Sequence, residues 1–418
     1  MTQTTRGMAV DDQRLDEQGG DVPAGGALAG VKVVELAHVI AGPLAGTLLA
    51  DLGADVVHVE APGTGDTART QGPAKDGVHL WWKVSGRNKR SVTIDLRRPE
   101  GQALAHELVA WADVVITNMR ASTLEKWGLD WATLHELHPR LVMLQISGNG
   151  ASTTARNEPG FGKVGEARSG VVHLTGFPDG PPVHTGFSHG DSVTALMGAF
   201  GICAALVGRH DPGFTGEWID LALFEPLFRL VEWQIIVADQ LGVVPTRSGN
   251  RLAVAPAAVV NTYPAADGVW ITVTSGTPRS VRNIAELLGE PPADYWTVAQ
   301  QLERKDRLDT LLRDWVAARP AEVALREMAL REVTASRVYT AADILADPIY
   351  AEREDIVTVP DPELGPVRMQ AVVPRLAQRP GSVWRTGAAL GQDNDLVFSE
   401  WLGRSPDELA ALRSEGII

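Results

Sequence analysis

The fold is decided by residues 176–225, at whose centre lies the sequence Gly190-Asp191-Ser192. The next stretch, Thr194-Ala-Leu-Met-Gly-Ala-Phe-Gly-Ile-Cys-Ala-Ala-Leu-Val207, is apolar on nearly every helical face and therefore predicts a buried helix. Its small residues, among them Gly198 and Gly201, would let neighbouring backbones approach closely. A helix of fourteen residues is too short to span a bilayer.

Asp191 stands where the N-cap of this predicted helix belongs. At that end, the helix dipole and the unpaired backbone N–H groups favour the ionised carboxylate. From this stretch alone, Asp191 could be only a capping residue or could also be a reactive carboxylate. The rest of the chain has to decide between the two.

The length, net charge and cysteine content of the chain limit the classes of protein to which it can belong. At 418 residues, the chain exceeds what one core usually supports, so we expect two domains. The net charge of −14 argues against nucleic acid or an anionic membrane as partner, so an anionic ligand would need a local basic pocket. The single cysteine, Cys203, fits a reducing cytoplasm. Residues 1–27 predict a disordered leader rather than a signal peptide.

Strands alternate with helices through the first half of the chain. This alternation predicts an α/β fold with a parallel sheet covered on both faces. The predicted strands and helices are residues 31–36, 43–52, 55–60, 91–95, 99–111, 113–117, 131–138 and 141–147. Ligands of such sheets bind beyond the carboxyl ends of the strands, which here means the loops 37–43, 61–66, 118–122 and 148–162. The turn at residues 42–46 lacks the glycine spacing of a dinucleotide site, which disfavours a nicotinamide or flavin enzyme.

Composition shifts divide the chain further. We predict a large domain from residues 28–242, a proline-bearing linker at 243–264, a smaller α/β domain at 265–347, and a linker with a return to the large domain at 348–418. The basic run Arg87-Asn88-Lys89-Arg90 stands out in so acidic a chain. It is either a phosphate-binding cluster or solvated surface charge.

Several segments together resemble the class III CoA-transferases, the group that includes the formyl-CoA and carnitine enzymes. The segments are Leu28-Ala-Gly-Val-Lys-Val-Val-Glu-Leu36, Ala41-Gly-Pro43, Leu49-Ala-Asp-Leu-Gly-Ala-Asp-Val56, Val59-Glu60, Asn88-Lys-Arg-Ser91, Thr175-Gly-Phe-Pro-Asp-Gly-Pro-Pro182, Gly190-Asp191 and Leu390-Gly391. The resemblance implies a Rossmann-like large domain with an inserted small domain, and two subunits interlocked as a homodimer. It also implies transfer of coenzyme A from an acyl-CoA to a small carboxylic acid, with an aspartate as nucleophile at the position of Asp191.

The same resemblance assigns the contacts with CoA. The matching positions are Val39, Ile40, Ala61, Asn88, Arg90, Arg97, Asn118, Met119, Lys126 and Phe161. Acyl-CoA enters as a substrate, and we predict no tightly bound cofactor and no metal. The family can carry Gln at the position of Ile40 and Arg at that of Ala61, and these departures disfavour formyl-CoA:oxalate specificity.

Two other functions remain as alternatives. An α-methylacyl-CoA racemase resembles the same fold but pairs its aspartate with a histidine that moves a proton. The position of that histidine corresponds to Phe161, which cannot move a proton, and His189 is the nearest histidine in sequence. The other alternative is a non-catalytic CoA-binding subunit of a heteromeric transferase, against which the presence of Asp191 argues.

Overall fold

The computed structural model describes residues 25–418, so the predicted leader lies outside the described residues except for its last three. Within them are thirteen strands, β1–β13: Lys32–Leu36, Asp55–Glu60, Ala74–Lys75, Val78–His79, Lys89–Thr93, Val114–Thr117, Val142–Ser147, Glu217–Ala222, Val260–Pro264, Trp270–Thr274, Ala335–Arg337, Ile356–Asp361 and Gly365–Gln370. The sixteen α-helices, α1–α16, are Ala41–Asp51, Leu80–Ser85, Pro99–Trp111, Ala121–Trp127, Trp131–Leu137, Gly162–Arg168, Val171–Leu174, His189–Gly208, Glu225–Leu230, Trp233–Leu241, Pro278–Leu287, Val298–Ala317, Ala321–Leu330, Ala341–Ala346, Pro348–Glu352 and Pro406–Ser414.

Six strands form one parallel sheet in the order β5-β2-β1-β6-β7-β8. Val33 of β1 pairs with Val56 of β2 on one side and with Val114 of β6 on the other. The predicted α/β class with a parallel sheet is confirmed. Because the strand order reverses between β1 and β6, a crevice opens at their carboxyl ends, where ligands of such sheets usually bind.

Helices cover both faces of this sheet, because successive side chains of a strand point to opposite sides. Val33 packs with residues of α1 and α8 on one face, and Val34 packs with α3 on the other. The sequence predicts that the small residues of α8 allow close packing, and Gly198 shows this: a Cβ there would lie 2.7 Å from Leu144 Cδ2 on β7. Glycine there lets the helix lie close against the sheet.

Helix α8 differs in two respects from the fourteen-residue buried helix that the sequence predicts. It runs for 20 residues, long and apolar enough by length and composition to cross a bilayer, so the argument from length fails. One face packs on α1 and β7, which is the position of a core helix of the sheet domain. On the opposite face, Leu196, Phe200 and Val207 are 56%, 69% and 73% exposed in the single chain.

A second unit is built on a three-stranded antiparallel sheet in the order β11-β10-β9. Helices α11, α12 and α13 pack against it around Tyr263 and Tyr295, both fully buried. Strand β9 lies inside the segment 243–264 that the sequence predicts to be a linker. The small sheet therefore begins one strand before the predicted boundary at residue 265.

The chain then returns to the parallel sheet and covers its edge strand, β5. The backbone N–H groups of Ser91 and Thr93 donate to Asp393 Oδ2 at 2.8 Å and to Asn394 Oδ1 at 2.9 Å. Residues 348–418 add no strand to the six-stranded sheet. They contact the outer edge of β5 through these two side chains and through the backbone N–H of Asp393, which donates to Ser91 O at 3.0 Å. Unpaired edges invite association with other chains, so this cover protects the sheet.

Candidate active site

A cavity of about 700 Å³ opens at the reversal of strand order. It is lined by residues 38–41 after β1, 118–120 after β6, 146–148 at the end of β7, 158–163 leading into α6, and Asp191. Three of the four loops named from the sequence contribute to this lining, whereas residues 61–66 do not. The cavity therefore lies at the carboxyl edge of the sheet, as the strand alternation predicts.

Asp191 is the third residue of α8. Ser188 is the N-cap residue and His189 begins the helix, so the prediction that Asp191 is the N-cap is wrong. The carboxylate lies against the first residue of α6, because a Cβ on Gly162 would be only 2.0 Å from Asp191 Oδ2. Absence of a side chain at Gly162 thus leaves the space that the Asp191 carboxylate occupies.

The environment of Asp191 favours the neutral acid more than expected. Burial and the negative charge of Glu166 raise the pKa of Asp191 to about 6, although Lys163 acts in the opposite direction. The expectation that the helix terminus favours the ionised form is therefore overruled by desolvation and a like charge. At pH 7 the group is still mostly ionised, and it is more basic than an ordinary aspartate.

Asp191 belongs to a group of four titratable residues that we call the Asp191 cluster: Lys163, Glu166, His184 and Asp191. Buried Glu166 accepts hydrogen bonds from Lys163 Nζ at 3.0 Å and from His184 Nδ1 at 2.7 Å. Among the residues that the structure describes, Asp191 forms neither an ion pair nor a side-chain hydrogen bond with another residue. Its carboxylate is thus available to a ligand.

A second group lies beneath the loop after β1, and we call it the paired cluster: Glu35, His58, Glu60, Asp66 and Arg69. His58 Nδ1 lies 2.5 Å from Glu35 Oε1, and Arg69 Nε donates to Glu60 Oε2 at 2.6 Å. Burial would lower the pKa of His58, but Glu35 and Asp66 outweigh it and raise the pKa to about 9. Burial would likewise raise the pKa of Asp66, but His58 and backbone N–H groups lower it to about 2.

The paired cluster shapes one wall of the cavity through Val39. Both carboxylate oxygens of Asp66 accept from the Val39 backbone N–H, at 3.1 and 3.0 Å. Val39 has a φ of +69°, a left-handed conformation that is unusual for a β-branched residue. Such strain persists where the surroundings impose it, and it concentrates at functional sites.

The structure brings together Asp191 and five of the ten predicted contact residues. These five line the cavity: Val39, Ile40, Asn118, Met119 and Phe161. Asn118 also holds the loop after β1, since its side-chain Nδ2 donates to His38 O at 2.7 Å and its Oδ1 accepts from His38 N at 2.9 Å.

The other five predicted contact residues lie outside the lining. Asn88 is buried, and its amide donates to Asp51 and Ser382 and accepts from Trp384, which leaves no donor for a ligand. Buried Arg90 lies over the Trp401 ring, with its Cζ 5.0 Å from the ring centroid. Both interpretations of residues 87–90, as a phosphate-binding cluster and as solvated surface charge, are therefore wrong. The four residues are buried and contact other parts of the same chain.

The remaining three are Ala61, Arg97 and Lys126. Ala61 follows β2 outside the cavity, Arg97 is exposed and paired with Asp95, and Lys126 is exposed on α4, the helix that supplies Thr123 and Trp127 to the cavity. Their contribution to CoA binding stays a prediction.

Residues 28–394 match the family model described as CoA-transferase family III. The chain belongs to this family. The succinyl-CoA–D-citramalate CoA-transferase of Chloroflexus aurantiacus is 42% identical over 93% of this chain and 97% of its own length. The succinyl-CoA–L-malate CoA-transferase beta subunit of the same organism is 34% identical over 94% and 98%. A solved CaiB/BaiF family protein from Brucella suis has a TM-score of 0.79 and 30% identity, covering 90% of this chain and 99% of that one.

As a family III CoA-transferase, the enzyme acts on CoA thioesters, and its cavity holds four basic residues that were not predicted from the sequence. These are His38, Arg120, Arg156 and Lys163. Arg120 directly follows Asn118-Met119 and His38 directly precedes Val39-Ile40, so adjacency to predicted residues was a usable signal. Arg156 and Lys163 lie around a loop with no periodic pattern, and no comparable signal marks them.

Proposed function

We propose that this CoA-transferase moves coenzyme A from an acyl-CoA donor to a carboxylic acid through a covalent thioester on Asp191. The observation that carries the proposal is the free, half-buried Asp191 carboxylate in the cavity at the switch point of the sheet. Its raised pKa, about 6, supports this role because a more basic carboxylate is a better nucleophile while remaining mostly ionised at pH 7.

The steps balance without a further reactant. The Asp191 carboxylate attacks the thioester carbonyl and expels the CoA thiolate, which leaves a mixed anhydride. The thiolate then attacks the aspartyl carbonyl, releasing the donor acid and forming the aspartyl-CoA thioester. The acceptor carboxylate attacks that thioester, and the returning thiolate attacks the acyl carbonyl of the second anhydride, which yields the new acyl-CoA and free Asp191. Covalent catalysis thus divides one exchange into easier steps.

Charge in the cavity supports binding of the phosphate-bearing thioester. The chain as a whole carries a net charge of −14, yet Arg120, Arg156 and Lys163 line the cavity against one acidic lining residue besides Asp191, Glu158. Arg120 has no ion pair within residues 25–418, so its guanidinium is available to a phosphate or a carboxylate. Arg156 and Lys163 are paired with Glu125 and Glu166, so Arg120 is the cation of the lining that supports binding of an anionic ligand.

We propose that donor and acceptor are small dicarboxylic acids, with succinyl-CoA as the first donor to test. The proposal is supported by the names of the two Chloroflexus relatives, both of which use succinyl-CoA with a hydroxylated dicarboxylic acid. The cationic lining supports it as well, because a dicarboxylate retains one free carboxylate while the other reacts. A panel of acceptor acids, read by mass spectrometry of the acyl-CoA formed, tests this class against monocarboxylates.

The covalent step is tested by trapping. After incubation with succinyl-CoA, hydroxylamine should convert the thioester into a hydroxamate on the peptide that carries Asp191, and activity should be lost only in the presence of the donor. Asp191→Asn should lower kcat by on the order of 10³-fold or more and give no adduct, because an amide cannot form the anhydride. Near-normal transfer by Asp191→Asn would contradict the proposal, and solvent-hydrogen exchange at the acyl α-carbon without transfer would point to the racemase.

We also propose that the enzyme is an interlocked homodimer. The exposed apolar face of α8, with Leu196, Phe200 and Val207, supports an interface, as do exposed Ile235 and Ile236 on α10. An apolar surface of this kind on a soluble protein usually marks a contact with another chain. Sedimentation at low concentration should show a single species of twice the chain mass, with no folded monomer on dilution; a folded monomer would contradict the interlocked arrangement.

A further inference from the structure

Glu166 is a buried carboxylate that the proposed chemistry leaves unused. It lies on α6 and is 1% exposed. A charged group this deeply buried is costly unless its surroundings compensate it, and such groups concentrate at functional sites.

The contacts of Glu166 join three segments of the chain. Oε1 accepts the backbone N–H of Gly190, the residue before Asp191, at 3.0 Å. Oε2 accepts from His184 Nδ1 at 2.7 Å and from Lys163 Nζ at 3.0 Å. Lys163 in turn donates to Thr185 O and Phe187 O, at 3.1 and 2.7 Å. The carboxylate therefore ties α6 to the segment that leads into α8 and to the first turn of α8 itself.

The packing at this point is close. A Cβ on Gly190 would lie 2.6 Å from Gly162 O and 3.1 Å from Glu166 Cγ, so the backbone beside Asp191 rests directly on α6. A side chain at position 190 is not compatible with this contact. Two contacts therefore position Asp191. Glu166 holds the backbone of the preceding residue, Gly190, and Gly162 lies against the Asp191 carboxylate itself.

Glu166 also remains charged. Burial alone would raise its pKa, but the hydrogen bonds from Gly190 and His184 and the charge of Lys163 outweigh burial and hold the pKa of Glu166 below its ordinary value. The titratable groups that face it are Lys163 on its own helix, His184 on the segment before α8, and Asp191 in the first turn of α8. It follows that a negative charge faces Asp191 throughout the neutral pH range.

We infer that Glu166 is a positioning residue that fixes the first turn of α8 and, by its charge, favours the acylated and thioester forms of Asp191 over the free carboxylate. The inference rests on the proposed function of Asp191. Free Asp191 is an anion and is repelled by Glu166, whereas the anhydride and the aspartyl-CoA thioester are neutral at that position. Formation of either covalent state removes the repulsion, so Glu166 raises the fraction of enzyme that carries the intermediate.

The variant that separates charge from shape is Glu166→Gln, because its amide oxygen still accepts from Gly190 while the charge is gone. We expect the acid limb of the kcat–pH profile to move to lower pH by about one unit, and the fraction trapped as the Asp191 adduct to fall severalfold at pH 7. KM for succinyl-CoA should change by less than about twofold, since Glu166 does not line the cavity. The matched control, Glu136→Gln, removes the same charge from an exposed site on α5 and should leave the profile in place.

A merely structural role would lower activity at every pH without moving the limb, and a folded Glu166→Gln enzyme with an unmoved limb overturns the inference. If circular dichroism finds that this variant is unfolded, His184→Ala decides, because His184 donates a hydrogen bond to Glu166 and lies outside the cavity lining. It leaves the charge of Glu166 less compensated and should move the limb to higher pH, and an unmoved limb again overturns the inference. Failure of the proposed function is distinguishable, because the wild-type enzyme would then form no Asp191 adduct at all.

Discussion

The paired cluster and the Asp191 cluster lie at the same edge of the same sheet, and their carboxylates behave in opposite ways. In the paired cluster, a cation stands beside every carboxylate, and the pKa of Asp66 falls to about 2. In the Asp191 cluster, the cation Lys163 is held by Glu166, and the pKa of Asp191 rises to about 6. This difference shows that burial alone does not make a carboxylate reactive. A buried carboxylate that is paired with a cation stabilises the fold, whereas one without such a partner remains available for chemistry.

The largest effect should come from breaking the paired cluster. His58→Gln leaves Glu35 and Asp66 without their shared cation, which should lower the free energy of unfolding by about 3–5 kcal/mol. Because the pKa of His58 is about 9 in the folded protein and ordinarily 6.5, its stabilisation is fully present below pH 6.5 and is lost as the pH rises through 9. Denaturant titrations should therefore find the difference from wild type shrinking across that window.

The matched control for this experiment is His210→Gln, which removes an exposed imidazole beyond the end of α8. It should leave both the free energy of unfolding and its pH dependence unchanged. Equal losses in the two variants, or a His58→Gln deficit that is constant from pH 6 to 9, would mean that the paired cluster is not held by an imidazolium.

A smaller effect is expected from crowding the Asp191 cluster without changing its charge. In Gly162→Ala the new Cβ would sit 2.0 Å from Asp191 Oδ2, so the carboxylate must move. Misplacing a reacting group by about 1 Å costs on the order of 10²-fold, and we expect kcat to fall by roughly 10- to 100-fold. Stability should not fall with it, since alanine favours the first turn of α6 more than glycine does.

Gly201→Ala on α8 provides the comparison, because its Cβ would have an ordinary 3.4 Å contact with Ile219. Its kcat should remain near that of the wild type. A Gly162→Ala enzyme of normal turnover would contradict the placement of the carboxylate against α6.

The smallest effect should come from Arg120 on the cavity wall, which has no ion pair in the part of the chain that the structure describes. Arg120→Ala should raise KM for acyl-CoA by roughly 3- to 10-fold and alter kcat little, because a charge remote from the reacting carbonyl contributes mostly uniform binding. Arg97→Ala removes an exposed guanidinium that is already paired with Asp95 outside the cavity, and its effect on KM should be smaller. The reverse order would show that CoA phosphates bind along the β5 side of the sheet.

Much of the architecture follows from local pattern. The strand Asp55–Glu60 and the helix Pro99–Trp111 have the predicted bounds, because apolar runs and a proline at the first helical position are read from adjacent residues. The location of the cavity follows from the parallel alternation for the same reason. The basic run at residues 87–90 was misread because its partners are distant in sequence: Arg87 pairs with Asp51, and Lys89 pairs with Glu35.

The Asp191 cluster was only partly predictable. Asp191 itself was marked by the helix that follows it and by the resemblance to the family. Glu166 and His184 carry no such mark, since α6 has only seven residues and begins where the sequence predicts a loop. Their importance arises from a carboxylate on one short helix meeting the backbone of another segment, and no periodicity encodes that contact.

The cover over β5 has a consequence for synthesis of the chain. Ser91 leaves the ribosome 302 residues before Asp393, the side chain that will satisfy its backbone N–H. At 5–20 residues per second, the interval is roughly 15 to 60 seconds, during which the edge of the growing sheet has no cover of its own. Nascent chains of this enzyme should therefore depend on chaperones most strongly in that interval, and truncation before residue 393 should yield aggregates rather than a smaller folded protein.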